Sequence, residues 1–290
     1  MVTPRTPKPG SKSPIRLVKL CQLACETCET SVYEALQAGY RWIDTASVYK
    51  NEVEVGRAVR RWLDQEQNAD TTRITVTTKI SPYELLQARA ASVACLERLS
   101  LPSTIQKVLL IHWPGVARKK HDMAIHRQAR NSAWKVLCDL KHDGFIDIVG
   151  VSNFNVYHLE LLAEDLSCED WYETPAINQV EMHARCQQRD LREYCKERKI
   201  LLQAYGPFGS VGAPLLSYAS QQLGVDKSST ADVLLQFLSG CCDSLVVKSQ
   251  DRLRIRRNLS CLEHHLPYEL LREVSDMHDE VHYCWDPRPV

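Results

Sequence analysis

The strongest constraint on this chain is an alternation. Short apolar runs rich in β-branched residues, most ending in a polar group, are followed by longer stretches with apolar residues at 3.6-residue spacing. The strand candidates are 15–20, 41–44, 74–79, 108–112, 146–152, 176–179, 201–205 and 244–248. Helical patterns cover 31–38, 52–66, 83–99, 124–142, 156–164, 187–198 and 230–239, with further helices at 252–258 and 268–279. A strand that returns through a helix lies parallel to the one before it, so the pattern predicts a parallel sheet of the α/β class. Eight such units in 290 residues leave room for little besides a closed (β/α)8 TIM barrel. No low-complexity linker interrupts residues 15–290, which are expected to form one domain. Residues 1–14 are rich in proline and basic residues and lack both an acid and an apolar core, so they read as a disordered tail rather than a secretory signal.

Charge and cysteine usage narrow the function classes. Thirty-six Lys and Arg balance thirty-six Asp and Glu. A general nucleic-acid or anionic-membrane binder needs net basic charge or a large basic patch, so neither partner is expected. No apolar run approaches the ~20 residues of a membrane span. The twelve cysteines are mostly scattered singly in apolar helical context, which suits reduced, buried thiols and a cytoplasmic location. One run stands apart: Cys21, Cys25 and Cys28 form C-x3-C-x2-C, a spacing with which radical-SAM enzymes hold an iron–sulfur cluster. No glycine-rich run follows the next strand to accompany it, so it stands only as a remote alternative.

Barrel enzymes place their chemistry where strands end and helices begin. There this chain offers Asp44, Lys79, His112, Ser152-Asn153, Gln179, Tyr205 and Lys248-Ser249, with Tyr49 five residues beyond Asp44. Hydrogen-bonding groups at seven of eight strand ends predict a lined pocket. A tyrosine hydroxyl titrates near 10, too high for efficient proton donation at neutral pH. A lysine ammonium beside it stabilises the phenolate, and an aspartate holds that lysine charged and in place. A histidine can hydrogen-bond the same reacting oxygen. The set suits proton delivery to a carbonyl oxygen. It contains no nucleophile–base pair and no metal-ligand spacing. Hydride must then come from elsewhere, which implies a nicotinamide cofactor. His126 and His183 read as packing or surface groups, and Met182 as core filler.

Several segments resemble the aldo-keto reductase family. They are Gly39-Tyr40-Arg41-Trp42-Ile43-Asp44-Thr45-Ala46 with Tyr49 and Asn51-Glu52-Val53-Glu54-Val55-Gly56, then Leu110-Ile111-His112-Trp113-Pro114, Gly150-Val151-Ser152-Asn153-Phe154 and Asn178-Gln179-Val180-Glu181. Lys248-Ser249 with Arg254-Ile255 and Asn258, and the tail Tyr283-Cys284-Trp285-Asp286-Pro287, continue the resemblance. It implies an NADPH-dependent reductase of aldehydes or ketones, monomeric or homodimeric. Tyr49 would be the general acid, with Lys79 its partner, Asp44 the lysine's partner and His112 the group that orients the carbonyl. Ser152, Asn153 and Gln179 would hold the nicotinamide carboxamide and Tyr205 would stack on the ring. Gly206, Pro207 and Gly209 would complete that wall. Lys248, Ser249 and Arg254 would surround the 2′-phosphate and Asn258 would touch adenine. Val48, Trp113 and Trp285 would face the substrate.

The chain departs from the family pattern at four places. Leu17-Val18-Lys19-Leu20-Cys21-Gln22 lacks both first-strand glycines and the aromatic that follows them. Arg257 stands where a glutamate is usual, Val247 where a proline is usual, and Gly206 where a serine is usual. The first departure motivates an alternative, a catalytically weak nicotinamide-binding regulatory protein of the same fold.

Overall fold

The computed structural model describes residues 15–19, 25–65, 74–119, 122–209, 214–263 and 267–288. Eight parallel strands among them close into a barrel in chain order. They are β1 (Ile15–Lys19), β2 (Trp42–Asp44), β3 (Thr75–Ile80), β4 (Gln106–Ile111), β5 (Ile148–Ser152), β6 (Ile177–Glu181), β7 (Leu201–Tyr205) and β8 (Ser244–Val247). β1 pairs with both β2 and β8, so the departure in its sequence does not remove it from the barrel. Residues 1–14, together with Leu20, Cys21 and Gln22, lie outside the described residues.

Helices α1 (Cys25–Ala38), α2 (Glu52–Gln65), α3 (Ala88–Leu99), α4 (Met123–His142), α5 (Val156–Leu166) and α6 (Arg189–Glu197) follow the first six strands. α7 (Pro214–Leu223) and α8 (Lys227–Ser239) follow β7, and α9 (Arg252–Ser260) and α10 (Tyr268–Asp276) follow β8. α7 is an addition to the helices expected from periodicity, because its Leu, Tyr and Ala residues form no long stripe. At the start of the predicted helix 83–99, Leu85–Gln87 form a 3-10 turn, and α3 begins only at Ala88. Four helix starts are explicit. Asp122, Asp226 and Asp251 cap α4, α8 and α9 by accepting backbone N–H groups, and Asn155 forms a capping box with His158 on α5.

Two apolar layers result. The smaller lies inside the barrel and contains Trp42, Val108, Leu110, Ile177, Tyr205 and Val246. The larger lies between strands and helices, where Val76, Leu109, Val149 and Leu202 meet Leu36, Val59, Trp134 and Leu234. Trp42 keeps its indole N–H satisfied inside the barrel by donating to Thr77 Oγ1 at 2.7 Å. Met182 is fully buried, as expected of core filler. His126 is buried too, and its Nδ1 accepts from Val116 N at 3.0 Å.

Gly56 shows how closely the outer layer packs. A Cβ added there would lie 1.9 Å from the backbone oxygen of Leu99, where α2 crosses the end of α3. Gly56→Ala is therefore expected to lower unfolding free energy by about 2 kcal/mol, overpacking outweighing the helix preference for alanine. A fall in the urea midpoint with an unchanged slope would show it, and a rise would contradict the packing.

Candidate active site

At the centre of the barrel, Lys79 Nζ lies 2.7 Å from each oxygen of Asp44 and 2.8 Å from Thr45 O. Both side chains are fully buried. Such a pair is held by geometry and hydrogen bonds that offset its desolvation. Tyr49 ends the 3-10 turn Ser47–Tyr49 that follows β2. Its ring centroid is 5.5 Å from Lys79 Nζ, and the His112 ring meets it edge-on at 5.7 Å. All four residues expected from the strand ends thus converge.

The sequence around Tyr49 explains why the turn holds still. Lys50 takes a left-handed conformation, with φ of 54°, and closes the turn. Thr45 Oγ1 donates to Asn51 Oδ1 at 2.6 Å. Ser47 Oγ donates to Glu84 on the loop after β3. Glu52, buried at the start of α2, accepts from Thr78, the neighbour of Lys79, and from Arg98 Nε at 2.5 Å. The tyrosine turn is therefore tied to the strand that carries the lysine.

The polar residues of β5, β6 and β7 form a second cluster. Ser152 Oγ donates to Gln179 O at 2.7 Å. Asn153 has φ of 62°, which turns its amide back so that Nδ2 donates to His112 O at 2.8 Å. Tyr205 OH donates to Asn153 Oδ1 at 2.7 Å. Burial pushes the Tyr205 hydroxyl well above its ordinary pKa, so it stays protonated. β6 continues two residues past Gln179, so this side chain lies inside the barrel rather than at its rim. Its Nε2 donates to Asp44 Oδ1 at 2.7 Å and to Gln203 Oε1 at 3.1 Å. Gln203, also buried, has no role that the sequence reveals by itself. Its place two residues before Tyr205 on the inward face is the one signal that points to it.

The four convergent side chains can polarise a carbonyl and deliver a proton to it. The match to the Aldo/keto reductase family extends over residues 23–234. The chain belongs to the aldo/keto reductase family. It is 34% identical over 283 residues to an aldo-keto reductase of Mycobacterium sp. (strain MCS), covering 96% of this chain and 92% of that protein. It is 29% identical over 260 residues to the methylglyoxal reductase DkgA of Escherichia coli, covering 88% and 86%. An aldo-keto reductase enzyme from a Medee basin deep-sea metagenome library has the same fold, with a TM-score of 0.74, 27% identity and coverage of 96% and 95%. The chain is thus an oxidoreductase of that family.

In this aldo/keto reductase the basic run after β8 divides. Arg252 Nε pairs with Glu34 on α1 at 2.8 Å, and Arg257 Nη2 pairs with Asp232 on α8 at 2.7 Å. The unusual Arg257 is thereby a brace between helices. Lys248 and Arg254 are exposed beside the start of α9, next to the buried Ser249. Asn258 is partly buried on the same helix. Gly206 and Gly209 have φ of 69° and 82°, and a Cβ at Gly206 would have only Gly209 O nearby, at 3.8 Å. The backbone at Gly206, just before Pro207, lies open to close approach, whereas the Tyr283 ring covers Gly209.

The reductase tail crosses the barrel mouth. Trp285 is 67% exposed and meets Trp113 edge-on at 5.5 Å. Val48, 46% exposed, stands on the tyrosine turn. Glu181, at the end of β6, is the second residue whose role the sequence does not reveal. It is buried, and Tyr283 N, Cys284 N, His183 Nε2 and His282 Nδ1 all lie within 3.2 Å of its carboxylate. Burial alone would raise its pKa. The hydrogen bonds from His183, His282 and Tyr283 outweigh that and hold it at about 2. Hydrogen bonding to Cys186 and then to Glu181 raises His282 to about 10, so the pair is a carboxylate and an imidazolium at neutral pH.

Cys21 and the side chain of Cys25 lie outside the described residues. Cys28, the third member of the triplet, is fully buried in the layer between α1 and the barrel. Among the described residues no group of three His, Cys, Asp or Glu is placed to hold a metal ion. No helix among them is long and apolar enough to cross a membrane.

Proposed function

We propose that this aldo/keto reductase reduces an aldehyde or ketone to an alcohol with NADPH. The observation that carries the reading is the buried Lys79–Asp44 pair beneath the Tyr49 ring, with the His112 ring against the same tyrosine. Tyr49 donates the proton to the carbonyl oxygen. Lys79 stabilises the phenolate left behind, and Asp44 keeps Lys79 charged. His112 hydrogen-bonds the carbonyl oxygen and orients it. The likeness to a methylglyoxal reductase supports a small reactive aldehyde among the substrates.

The residues present fit a nicotinamide nucleotide. Tyr205 supplies an aromatic face, Ser152, Asn153 and Gln179 supply hydrogen-bonding groups beside it, and the backbone at Gly206 leaves open space. When bound, the nicotinamide supplies hydride to the carbonyl carbon. Lys248, Ser249 and Arg254 take the 2′-phosphate at the start of α9, where helix dipole and side chains favour an anion. Arg252 and Arg257 do not compete for it, because Glu34 and Asp232 hold them. Asn258 borders the adenine.

The test is turnover of a varied carbonyl panel, from methylglyoxal to nitrobenzaldehydes, with NADPH and with NADH. NADPH oxidation that depends on carbonyl is expected. Replacing Lys248 and Arg254 together with alanine is expected to cut kcat/KM for NADPH roughly a hundredfold and that for NADH little, since two charge-assisted contacts are lost. Tight NADPH binding without turnover anywhere on the panel would instead support the regulatory alternative raised by the altered segment 17–22.

A further inference from the structure

Glu181 is two residues beyond Gln179 and lies opposite Tyr205 in the β6–β7 register. The hydrogen bonds of its carboxylate run to the loop after β6 and to the C-terminal tail. Oε1 accepts from Tyr283 N at 2.8 Å, Cys284 N at 3.0 Å and His183 Nε2 at 3.2 Å. Oε2 accepts from His282 Nδ1 at 3.0 Å. Two adjacent backbone N–H groups aimed at one buried oxygen fix the peptide planes on either side of Tyr283. The residue that follows is Trp285, whose ring meets Trp113, and Trp113 follows His112. Cys284 packs on the inner cluster that contains Tyr205.

Other contacts hold the same segment at its margins. Arg185 Nε donates to Asp279 at 2.9 Å, and its Nη1 donates to Tyr283 OH at 3.3 Å. The Tyr283 ring lies against Gly209, where a Cβ would come within 3.1 Å of it, and its centroid is 5.1 Å from that of His183. These contacts bind side chains or the residues before the bend. The Glu181 carboxylate takes the backbone directly before Trp285.

We infer that Glu181 is a positioning residue for substrate selectivity: its carboxylate seats the Tyr283–Cys284 backbone and so sets Trp285 opposite Trp113 as the wall that receives the apolar part of a larger carbonyl substrate. The inference rests on the carbonyl-reductase reading for its substrate, though not for the seat itself. A glutamine at this position has one acceptor oxygen and one donor amide. If its oxygen serves the two backbone N–H groups, its NH2 faces the protonated His282, donor against donor. Whichever way the amide turns, one of the donors that Glu181 satisfies now faces an N–H, so the seat weakens and Trp285 loses its fixed place. A small aldehyde that does not reach Trp285 is indifferent to the change.

The experiment uses the full chain, with the wild type, Glu181→Gln, Trp285→Ala and the double variant. In Glu181→Gln, KM for 4-nitrobenzaldehyde is expected to rise roughly tenfold, the scale of one aromatic wall. Its kcat and the KM for methylglyoxal should stay near wild type. Trp285→Ala should show the same rise for the aromatic aldehyde, and the double variant should rise no further. Equal losses on both aldehydes, or additive losses in the double variant, would overturn the assignment. Hydrogen exchange reads the seat without turnover: the Tyr283 and Cys284 amides should exchange faster in Glu181→Gln, and unchanged exchange would overturn the seat. A wild type inactive on every carbonyl would count against the reductase reading alone, with exchange still deciding the seat. If Glu181→Gln unfolds, as thermal melting would report, His282→Asn weakens the same seat from the 20% exposed tail side. It is held to the same two measurements.

Discussion

Tyr49→Phe is expected to lower kcat roughly a thousandfold, within the range that a positioned general acid contributes. NADPH affinity should not change, because in the proposed reaction the hydroxyl lost acts on the carbonyl substrate. The structure makes this a clean substitution. The turn that carries Tyr49 is fixed by Lys50, by the Thr45–Asn51 hydrogen bond and by Glu52 bonded to Thr78 and Arg98. None of these needs the phenol oxygen. Phenylalanine keeps the ring contacts with His112 and Lys79. Fluorescence titration with NADPH, followed by single-turnover reduction of a nitrobenzaldehyde, separates binding from chemistry. Undiminished turnover with intact cofactor binding would mean that the proton comes from another group.

Lys79→Met should have the second large effect, on stability as well as activity. It leaves Asp44 fully buried with its ammonium partner gone, a loss expected to cost about 3–5 kcal/mol. The Gln179 Nε2 bond to Asp44 remains and keeps one carboxylate oxygen partnered. Turnover should fall with the loss of the cation beneath Tyr49. The diagnostic is the double variant Lys79→Met with Asp44→Leu. Removing both charges together should recover most of the stability, since a buried pair and an apolar pair of similar volume are often equivalent. Activity should not return. Denaturant unfolding and turnover thus part company in the double variant. If stability and activity recovered together, the pair would be structural and its placement beneath Tyr49 incidental.

Much of this site is legible in the amino-acid sequence. Asp44, Lys79 and His112 each close a run of β-branched or apolar residues, and barrel geometry brings adjacent strand ends together. Tyr49 lies on so short a connection to the next helix that it has to remain at the mouth. Gln179 is less legible. The apolar pattern ends the strand at Gln179 and so puts it at the rim, whereas β6 runs on to Glu181 and leaves Gln179 bonded to Asp44 inside the barrel. The roles of Gln203 and Glu181 are hidden because polarity at one position does not say which cross-barrel partner it meets. α7 is hidden because ten residues without a long apolar stripe carry little periodic signal.

The basic run at 252–257 shows the division most plainly. As a sequence it is four arginines of equal claim to one phosphate, and only spacing favours Arg254. Tertiary contacts assign Arg252 to Glu34 and Arg257 to Asp232, on helices separated from α9 in the chain. The sequence alone determined the barrel, the order of its strands and the residues at their ends, because these follow from local period and connection length. The tertiary structure decided which polar side chains face one another across the barrel and what holds the tail over its mouth. Those contacts join residues far apart in the chain, such as Glu181 with Cys284, and no local pattern encodes the pairing.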